Sequence, residues 1–427
     1  MSRASIGRVP VVHYDVHGLV ALRLYDAPQH VVDDVTRELG APQAVAAREP
    51  DLVVRFVDRM APSGFLRMLG LNDAAFDEEH FYLLDAQRRR ARVDFTRLGE
   101  PCEIVCEREI ATIPLLIPML GLYLAAAGHV LLHAASFVHR GHGVLVAGWQ
   151  KGGKTETLLP FTAAGADFVA DEWTVVGGVD RGMYGLSEVA RLWDWHLRQV
   201  PQYWERISPG QRARLRVWRG YRLLYRALPR HDHVRAWPVR LLREASADGG
   251  GPWQAVDRIP PAQLFGDRVW HGRAPLDRVF LPVMGQEAST TVVPTDAKTV
   301  AQRMVSSLEY ERRALTAAYQ QFRFAFPDRA CAALETVRER ELALLVDALD
   351  DLPAYELRHP YPVDLHDLYD AADGGLSRGR LDAAGCLDQC HDARRRPHAR
   401  GMLERPFGGV ALGGRVFDVV GTQVLHH

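Results

Sequence analysis

Lysine is nearly absent from this chain of 427 residues. Lysine and arginine together number 52, yet the only lysines are Lys151, Lys154 and Lys298, so almost every cation is an arginine. The formal net charge is −1. A balance this close to zero gives no electrostatic preference for nucleic acid or for an anionic membrane, and neither is expected as a partner.

Cysteine and long apolar runs are also scarce. Five cysteines in a chain of this length exclude a disulfide-stapled scaffold. One apolar run, 110–127, approaches membrane-spanning length, but Pro114, Pro118 and Gly121 interrupt it, so it predicts a buried helix. The residues that follow Met1 lack the apolar stretch of a signal peptide. Together with the sparse cysteines, this predicts a cytoplasmic protein.

Two of the three lysines lie in one glycine-rich segment. Residues 148–155 read Gly-Trp-Gln-Lys-Gly-Gly-Lys-Thr and fit the pattern G-x-x-x-x-G-K-[ST] without a mismatch. The apolar run 144–147 before the segment predicts a strand, and the pattern that follows predicts a helix. Strand, glycine loop and helix form the context in which this pattern binds nucleotide phosphates.

Each residue type in the segment suits phosphate. Glycines let the backbone turn tightly and point successive N–H groups at phosphate oxygens, and the following helix directs its positive end there. The Lys154 ammonium would reach the β- and γ-phosphates, and the Thr155 hydroxyl would bind Mg²⁺. The predicted nucleotide-binding residues are Gly148, Gly152, Gly153, Lys154, Thr155 and Glu156.

Further chemistry flanks the segment on both sides. His133 lies fifteen positions before Gly148, and Asp171 and Glu172 end a predicted strand after it. Two acidic residues at a strand end can hold Mg²⁺ or accept a proton from an attacking hydroxyl, and their mutual repulsion raises their pKa values. Considered alone, His133 is more often a core histidine, and the acidic pair is as often a solvated strand end.

In this order, the features resemble HPr kinase/phosphorylase and the wider group of HPr kinase-like proteins. That family has a histidine on the strand before the loop, Glu-Thr after the Lys-Ser/Thr pair, a helix ending in glycine, and a strand running into two acidic residues. Here the resemblance covers about 117–176. It implies an α/β fold with a P-loop kinase core related to phosphoenolpyruvate carboxykinase, and ATP or another nucleoside triphosphate with Mg²⁺.

The resemblance also implies roles for individual residues. Asp171 is expected to be the general base, with His133 and Lys154 beside the transferred phosphoryl group. Thr155, Asp171 and Glu172 are the expected metal ligands, Glu172 also supporting the base. Three departures indicate a diverged enzyme that does not act on HPr. Glu172 replaces an aspartate, Pro160 falls inside the predicted helix, and 186–191 lacks the glycines of the HPr-kinase signature.

The predicted activity is therefore transfer of the γ-phosphoryl group from ATP to a hydroxyl. The expected acceptor is a serine of a peptide or small protein, or a metabolite hydroxyl. The alternative is a nucleotide-hydrolysing regulatory switch without a hydroxyl acceptor. Because HPr kinases assemble as hexamers, the resemblance also raises the expectation of a homo-oligomer.

The chain is predicted to have more than one domain, since 427 residues are too many for a single compact core. Residues 1–105 have short strand-like runs at 11–14, 19–24, 52–57, 81–84 and 91–95, and form a small β-rich domain. Residues 106–300 form the nucleotide-binding kinase core. Residues 301–372 form a C-terminal helical extension, with amphipathic helices predicted at about 297–324 and 331–349. Residues 373–427 are rich in glycine and arginine and predict a flexible tail.

Two other clusters stay open at this point. The arginines between Arg206 and Arg243 suit either an acidic ligand or a solvated helix face, and the second is favoured. Arg191 is a better candidate for a phosphate contact. Cys386 and Cys390 could join Cys102 and Cys106 in a zinc site, but the spacing and the separate domains make this unfavoured.

Overall fold

The computed structural model describes residues 11–70, 73–178, 180–227 and 256–378, which form a mixed α/β structure. The N-terminal part is an eight-stranded sheet with the order β1-β2-β3-β8-β7-β6-β5-β4. Its strands are β1 (Val11–Val16), β2 (Val20–Tyr25), β3 (Leu52–Val57), β4 (Arg67–Leu69), β5 (Ala74–Phe76), β6 (Phe81–Leu84), β7 (Arg90–Arg92) and β8 (Cys102–Glu107). Each of the five predicted strand runs overlaps one of them, although β7 covers only the start of the run 91–95, and β8 ends close to the predicted boundary at 105.

One face of this sheet is buried because apolar residues alternate along its strands. In β3, the side chains of Leu52, Val54 and Phe56 are buried, and those between them are half-exposed. This period of two is typical of a sheet packed on one side. Helices α1 (Gln29–Leu39) and α2 (Leu116–Ala126) contribute to the same core. The prediction of a buried helix within 110–127 is thus confirmed.

A second, six-stranded sheet has the order β12-β10-β11-β18-β20-β19. Its strands are β10 (Ala134–His139), β11 (His142–Ala147), β12 (Asp167–Ala170), β18 (Arg278–Met284), β19 (Thr291–Thr295) and β20 (Ala354–His359). Strands β11, β18 and β20 are parallel to one another. Strand β10 is antiparallel to both β11 and β12, so β12 runs in the same direction as β11.

Helices cover both faces of this second sheet. The helices of the described residues after α2 are α3 (Lys154–Ala163), α4 (Asp194–Gln199), α5 (Pro201–Arg206), α6 (Pro209–Ala227), α7 (Pro261–Phe265), α8 (Ala297–Glu311), α9 (Arg313–Ala325), α10 (Ala332–Leu349) and α11 (Leu365–Arg378). Side chains of α3 and α11 belong to the core on one face, and side chains of α8 and α10 to the core on the other. The strand β11 between these layers is therefore apolar without alternation, since Val144, Leu145 and Val146 are all fully buried.

Two smaller sheets complete the described fold. The four-stranded one has the order β17-β14-β13-β9 and consists of β9 (His129–Leu132), β13 (Thr174–Gly177), β14 (Gly182–Gly185) and β17 (Ala274–Pro275). The other pairs β15 (Ala190–Trp193) with β16 (Val256–Ile259). In the first, Leu132 lies opposite Thr174 in an antiparallel pair. The residue after β9 is therefore brought next to the residues that precede β13.

The structure corrects two expectations about the C-terminal half. The single helix predicted at 297–324 is two helices, α8 and α9, which meet at Arg312. Arg312 is buried there and its guanidinium donates to Glu341 of α10 at 2.6 Å, a contact that local periodicity does not encode. The region 301–372 also contains β20, which lies between β18 and β19, so the core sheet continues past 300. The helix predicted at 331–349 is confirmed as α10.

Several predictions concern residues outside the described ranges. These include Cys386 and Cys390, the predicted tail after 378, and the second half of the arginine cluster. The predicted start of the flexible tail at 373 is wrong, because 373–378 are the end of α11 and Asp373 pairs with His139 and Arg140. Within the described ranges, Cys102 and Cys106 are buried, and the Sγ of Cys102 lies 2.9 Å from the Tyr123 hydroxyl. None of the helices described in the chain combines the length and the apolar character needed to span a bilayer.

Candidate active site

The carboxyl ends of four strands lie at one edge of the second sheet. Strands β11, β12, β18 and β20 run in the same direction and end at Ala147, Ala170, Met284 and His359. Open α/β sheets bind ligands at this edge, because the loops that follow the strands converge there. Segment 148–153 and the acidic pair both follow strands that end at it.

Segment 148–153 turns tightly between β11 and α3. Lys151 and Gly153 adopt positive φ angles of 57° and 109°. The N–H of Gly152 donates to the carbonyl oxygen of Trp149 at 3.1 Å. Helix α3 begins immediately afterwards at Lys154, so its first N–H groups, which lack partners within the helix, face the loop. The predicted order of strand, glycine loop and helix is confirmed.

Pro160 lies inside α3, and the helix continues to Ala163. A proline removes one N–H and disfavours the preceding turn, a cost of about 3 kcal/mol in a helix interior. The surrounding residues offset this cost, because Leu158, Leu159 and Phe161 are fully buried against the sheet. The hydroxyl of Thr162 also donates to the carbonyl groups of Leu158 and Leu159, at 3.1 and 3.0 Å.

Gly153 lies too close to His359 for any other residue type. A Cβ placed on Gly153 would be 2.4 Å from Nε2 of His359. The imidazole is buried, and its Nε2 lies 3.1 Å from the carbonyl oxygen of Gly152. His359 therefore packs on the loop from the end of β20. The sequence predictions did not include His359, which lies 207 positions from Gly152.

Replacing Gly153 with alanine is expected to destabilise the loop, because the positive φ would be strained and the new methyl group would meet His359. Such backbone strain costs about 1–3 kcal/mol. Gly141→Ala is the matched control, since Gly141 has a φ of 81° but nothing within 4 Å of an added Cβ. Thermal melts should show the larger loss of Tm for Gly153→Ala. Equal losses in the two variants would contradict the clash.

Lys154 is buried at the start of α3. Its ammonium donates to the carbonyl oxygens of Gly148 and Trp149, at 3.3 and 3.0 Å. Burial lowers the pKa of Lys154, and the carboxylates of Glu172, Glu311, Asp171 and Glu156 act in the opposite direction. The carboxylates favour the charged form of the ammonium, and its present acceptors are neutral carbonyl groups that a charged phosphate oxygen could replace.

Asp171 is buried at the end of β12 and contacts the first turn of α3. The hydroxyl of Thr155 donates to Oδ1 of Asp171 at 2.9 Å. Burial raises the pKa of Asp171 to about 7, and repulsion by Glu172 adds to the shift. A carboxyl group that titrates near neutrality can accept a proton and release it again at physiological pH. Asp171 therefore has the properties expected of a general base.

His133 lies between two carboxylates. Its Nδ1 is 2.6 Å from Glu311, the last residue of α8, and its Nε2 is 3.2 Å from Glu172. Burial alone lowers the pKa of His133, but the hydrogen bonds to Glu172 and Glu311 outweigh it, and the net shift is upward. The ring also packs on Trp173, at 5.3 Å between centroids, as the pairing of β9 with β13 requires. The two carboxylates therefore favour the charged form of His133.

Glu172 and Glu156 have basic partners of their own. Glu172 lies 3.6 Å from Nε of Arg191, in addition to His133. Burial raises the pKa of Glu172, but the contacts with His133 and Arg191 outweigh it and the net shift is downward. Oε1 of Glu156 lies 3.2 Å from Nε2 of His196, a buried histidine of α4. The N–H of Trp193 donates to Nδ1 of that ring at 3.2 Å, so Nε2 carries the hydrogen that Glu156 accepts.

The structure thus brings every predicted site residue to one edge of the sheet. They are His133, Gly148, Gly152, Gly153, Lys154, Thr155, Glu156, Asp171 and Glu172. Glu156 contacts His196, and Glu172 contacts His133 and Arg191. Asp171 is the carboxylate that contacts Thr155. Among the described residues, no three His, Cys, Asp or Glu side chains are placed to hold a metal by themselves.

Four residues that contact the site were not predicted from the sequence: Gln150, His196, Glu311 and His359. Glu311 lies 178 positions from His133, and His359 lies beyond the predicted core. Gln150 lies inside the loop pattern, but at a variable position where the pattern accepts any residue type, so its role could not be predicted. Of the other cluster, Arg214, Arg216 and Arg219 on α6 are exposed, and Arg216 packs over the Trp204 ring at 5.6 Å.

Comparison of the sequence with protein-family models finds no matching family, and comparison with curated protein sequences finds no similar protein.

Proposed function

We propose that this protein is an ATP-dependent phosphotransferase of the HPr kinase-like type, built on a P-loop kinase core. It transfers the γ-phosphoryl group to a hydroxyl, with a serine of a peptide or small protein, or a metabolite hydroxyl, as acceptor. The observation that carries the proposal is the contact between Asp171 and Thr155 beside the glycine loop. It places a carboxyl group with a pKa of about 7 next to the start of the helix that would hold the phosphates.

Binding of the triphosphate rests on the loop and on Lys154. N–H groups of the loop and of the first turn of α3 would donate to phosphate oxygens, aided by the helix dipole. The Lys154 ammonium would exchange the carbonyl oxygens of Gly148 and Trp149 for phosphate oxygens, which are stronger acceptors because they are charged. His133 would add a second positive charge beside the transferred group, where charge develops during the reaction.

Proton transfer rests on Asp171. Its carboxylate would accept the proton of the acceptor hydroxyl as the hydroxyl oxygen attacks the γ-phosphorus, and the bond to the β–γ bridging oxygen breaks. Glu172 supports this role, since its negative charge helps to raise the pKa of Asp171. Arg191 and His133 hold Glu172 in place.

The oxygen donors fit Mg²⁺. The Thr155 hydroxyl and the Asp171 carboxylate lie 2.9 Å apart, and Mg²⁺ in such sites uses one or two protein oxygens together with phosphates and water. Thr155 and Asp171 would hold the ion, which would neutralise charge on the phosphates when bound. Glu172, the next residue after Asp171, is a further candidate ligand for the ion, although in this structure it contacts His133 and Arg191.

The proposal predicts phosphoryl transfer that fails in acid. Incubation with γ-labelled ATP, Mg²⁺ and a library of serine peptides should label a peptide in excess of label released to water. Because Asp171 must be deprotonated to act and bound Mg²⁺ favours its carboxylate, the rate should fall in acid, at a pH below the value of about 7 that the group has without the ion. A rate set by phosphate release alone, with no acceptor labelled, would favour the nucleotide-hydrolysing switch. Absence of both products would refute nucleotide chemistry altogether.

A further inference from the structure

Two consecutive residues at the end of α8 contact two consecutive residues of the loop. The ring of Tyr310 lies 4.9 Å from that of Trp149, between centroids, and the two planes are tilted by 44°. Oε1 of Glu311 accepts a hydrogen bond from the side-chain amide of Gln150 at 2.7 Å. The end of α8 therefore holds the outer part of the loop through one apolar and one polar contact.

The same carboxylate also binds His133. Oε1 of Glu311 lies 2.7 Å from Gln150 and 2.6 Å from Nδ1 of His133, so a single oxygen joins the loop to the histidine. Neither contact is local, because His133 and Gln150 lie 178 and 161 positions before Glu311. Nothing else in the hydrogen bonding of the described residues ties the Gln150 side chain to the fold.

The end of α8 is itself held firmly. Arg313 places its guanidinium 4.3 Å from the centroid of Tyr310, on the side of α9. Arg312, between the two helices, is buried and paired with Glu341 of α10. Arg312 therefore ties the break between α8 and α9, next to Tyr310 and Glu311, to α10.

We infer that Tyr310 and Glu311 are positioning residues that hold the outer part of the phosphate loop and orient His133 toward it. The inference rests on the proposed function and adds residues to that site. Lys151 is exposed with a positive φ, and the Trp149 side chain is half-exposed, so the side chains of this part depend on neighbours such as Tyr310 and Glu311. A support from α8 would keep Gln150 and His133 in one arrangement while phosphate oxygens bind the inner part of the loop. A misplacement of about 1 Å near reacting groups can cost about 100-fold in rate.

Glu311→Leu and Glu311→Gln distinguish the effect of the Glu311 hydrogen bonds from the effect of its side-chain size. Leucine is similar in size but accepts no hydrogen bond, whereas the amide oxygen of glutamine can still accept from Gln150 and His133. We expect Glu311→Leu to lower kcat by about 100-fold and to change KM for ATP much less, and Glu311→Gln to recover most of that loss. Glu309→Gln is the control, because Glu309 lies on the same helix but pairs with exposed Arg338.

A structural readout makes the result independent of activity. The indole N–H resonance of Trp149, assigned with Trp149→Phe, should shift in Glu311→Leu and in Tyr310→Leu and stay unchanged in Glu309→Gln. Thermal melts would show that each variant is folded. An unshifted Trp149 resonance in both loop-facing variants, or an equal loss of kcat in Glu309→Gln, would overturn the inference. If the wild-type protein transfers no phosphoryl group, the proposed function fails, while the resonance still shows whether α8 holds the loop.

Discussion

Replacing Asp171 with asparagine is expected to lower the rate of phosphoryl transfer by about 100- to 10,000-fold, the usual contribution of a general base. Asparagine has nearly the same shape, and its carbonyl oxygen can still accept the hydrogen bond from Thr155, which Asp171 now accepts at 2.9 Å. The loop and Lys154 are unchanged by the substitution. Bound nucleotide should therefore be retained, and steady-state rates together with ATP titration would measure the two effects separately.

The same variant is expected to be more stable than the wild type at about pH 8. Burial raises the pKa of Asp171 in the folded protein to about 7, from an ordinary value of 3.8. A carboxyl group with a raised pKa in the folded state contributes stability below its unfolded pKa and loses it as the pH rises through its folded pKa. At about pH 8 the buried charge thus costs stability, and a neutral asparagine removes that cost. Thermal melts against pH should show a gain in Tm that disappears in acid.

Asp167→Asn provides the matched control for both measurements. Asp167 lies at the opposite end of the same strand, β12, and it is half-exposed there. It should leave the transfer rate unchanged and show no gain in Tm at about pH 8. Transfer that survives Asp171→Asn would show that another group accepts the proton. A fall in Tm at about pH 8 would show that the charged carboxylate stabilises the site.

Replacing Lys154 with arginine is expected to weaken nucleotide binding strongly, although arginine is the ordinary cation of this chain. The Lys154 side chain is buried, and its ammonium fits between two carbonyl groups of the loop at 3.3 and 3.0 Å. A planar guanidinium is wider and cannot act as a compact charge at this position. We expect ATP affinity to fall by at least about 100-fold, the scale of losing one buried charged hydrogen bond of about 3 kcal/mol. Isothermal titration with ATP and Mg²⁺ would measure it.

The other two lysines supply the controls for that experiment. Lys298 is exposed at the start of α8, so Lys298→Arg should bind ATP like the wild type. Lys151→Arg tests the loop itself, because Lys151 is exposed and has a positive φ that neither side chain relieves. If Lys154→Arg kept its affinity while Lys151→Arg lost it, the phosphate contact would belong to Lys151 and the assignment of Lys154 would be wrong.

Some of this fold could be predicted because the signals are local. The strand before the loop is a run of buried apolar residues, and a helix follows the loop as predicted, starting at Lys154. The five predicted strand runs of the N-terminal sheet and the helix 331–349 were also found. The break at Arg312 could not be predicted, because it depends on a buried ion pair with Glu341 in another helix. The position of β20 in the core sheet depends on strand pairing, which the sequence pattern does not encode.

By itself, the sequence determined the glycine loop, its lysine and hydroxyl, and the acidic pair at the end of the next strand. Those features follow from neighbouring residues and from the period of apolar side chains. Only the tertiary structure decided that Asp171 contacts Thr155, that Glu172 pairs with His133, and that α8 and β20 reach the loop. These contacts join residues far apart in the chain, and their geometry depends on how the sheets and helices pack.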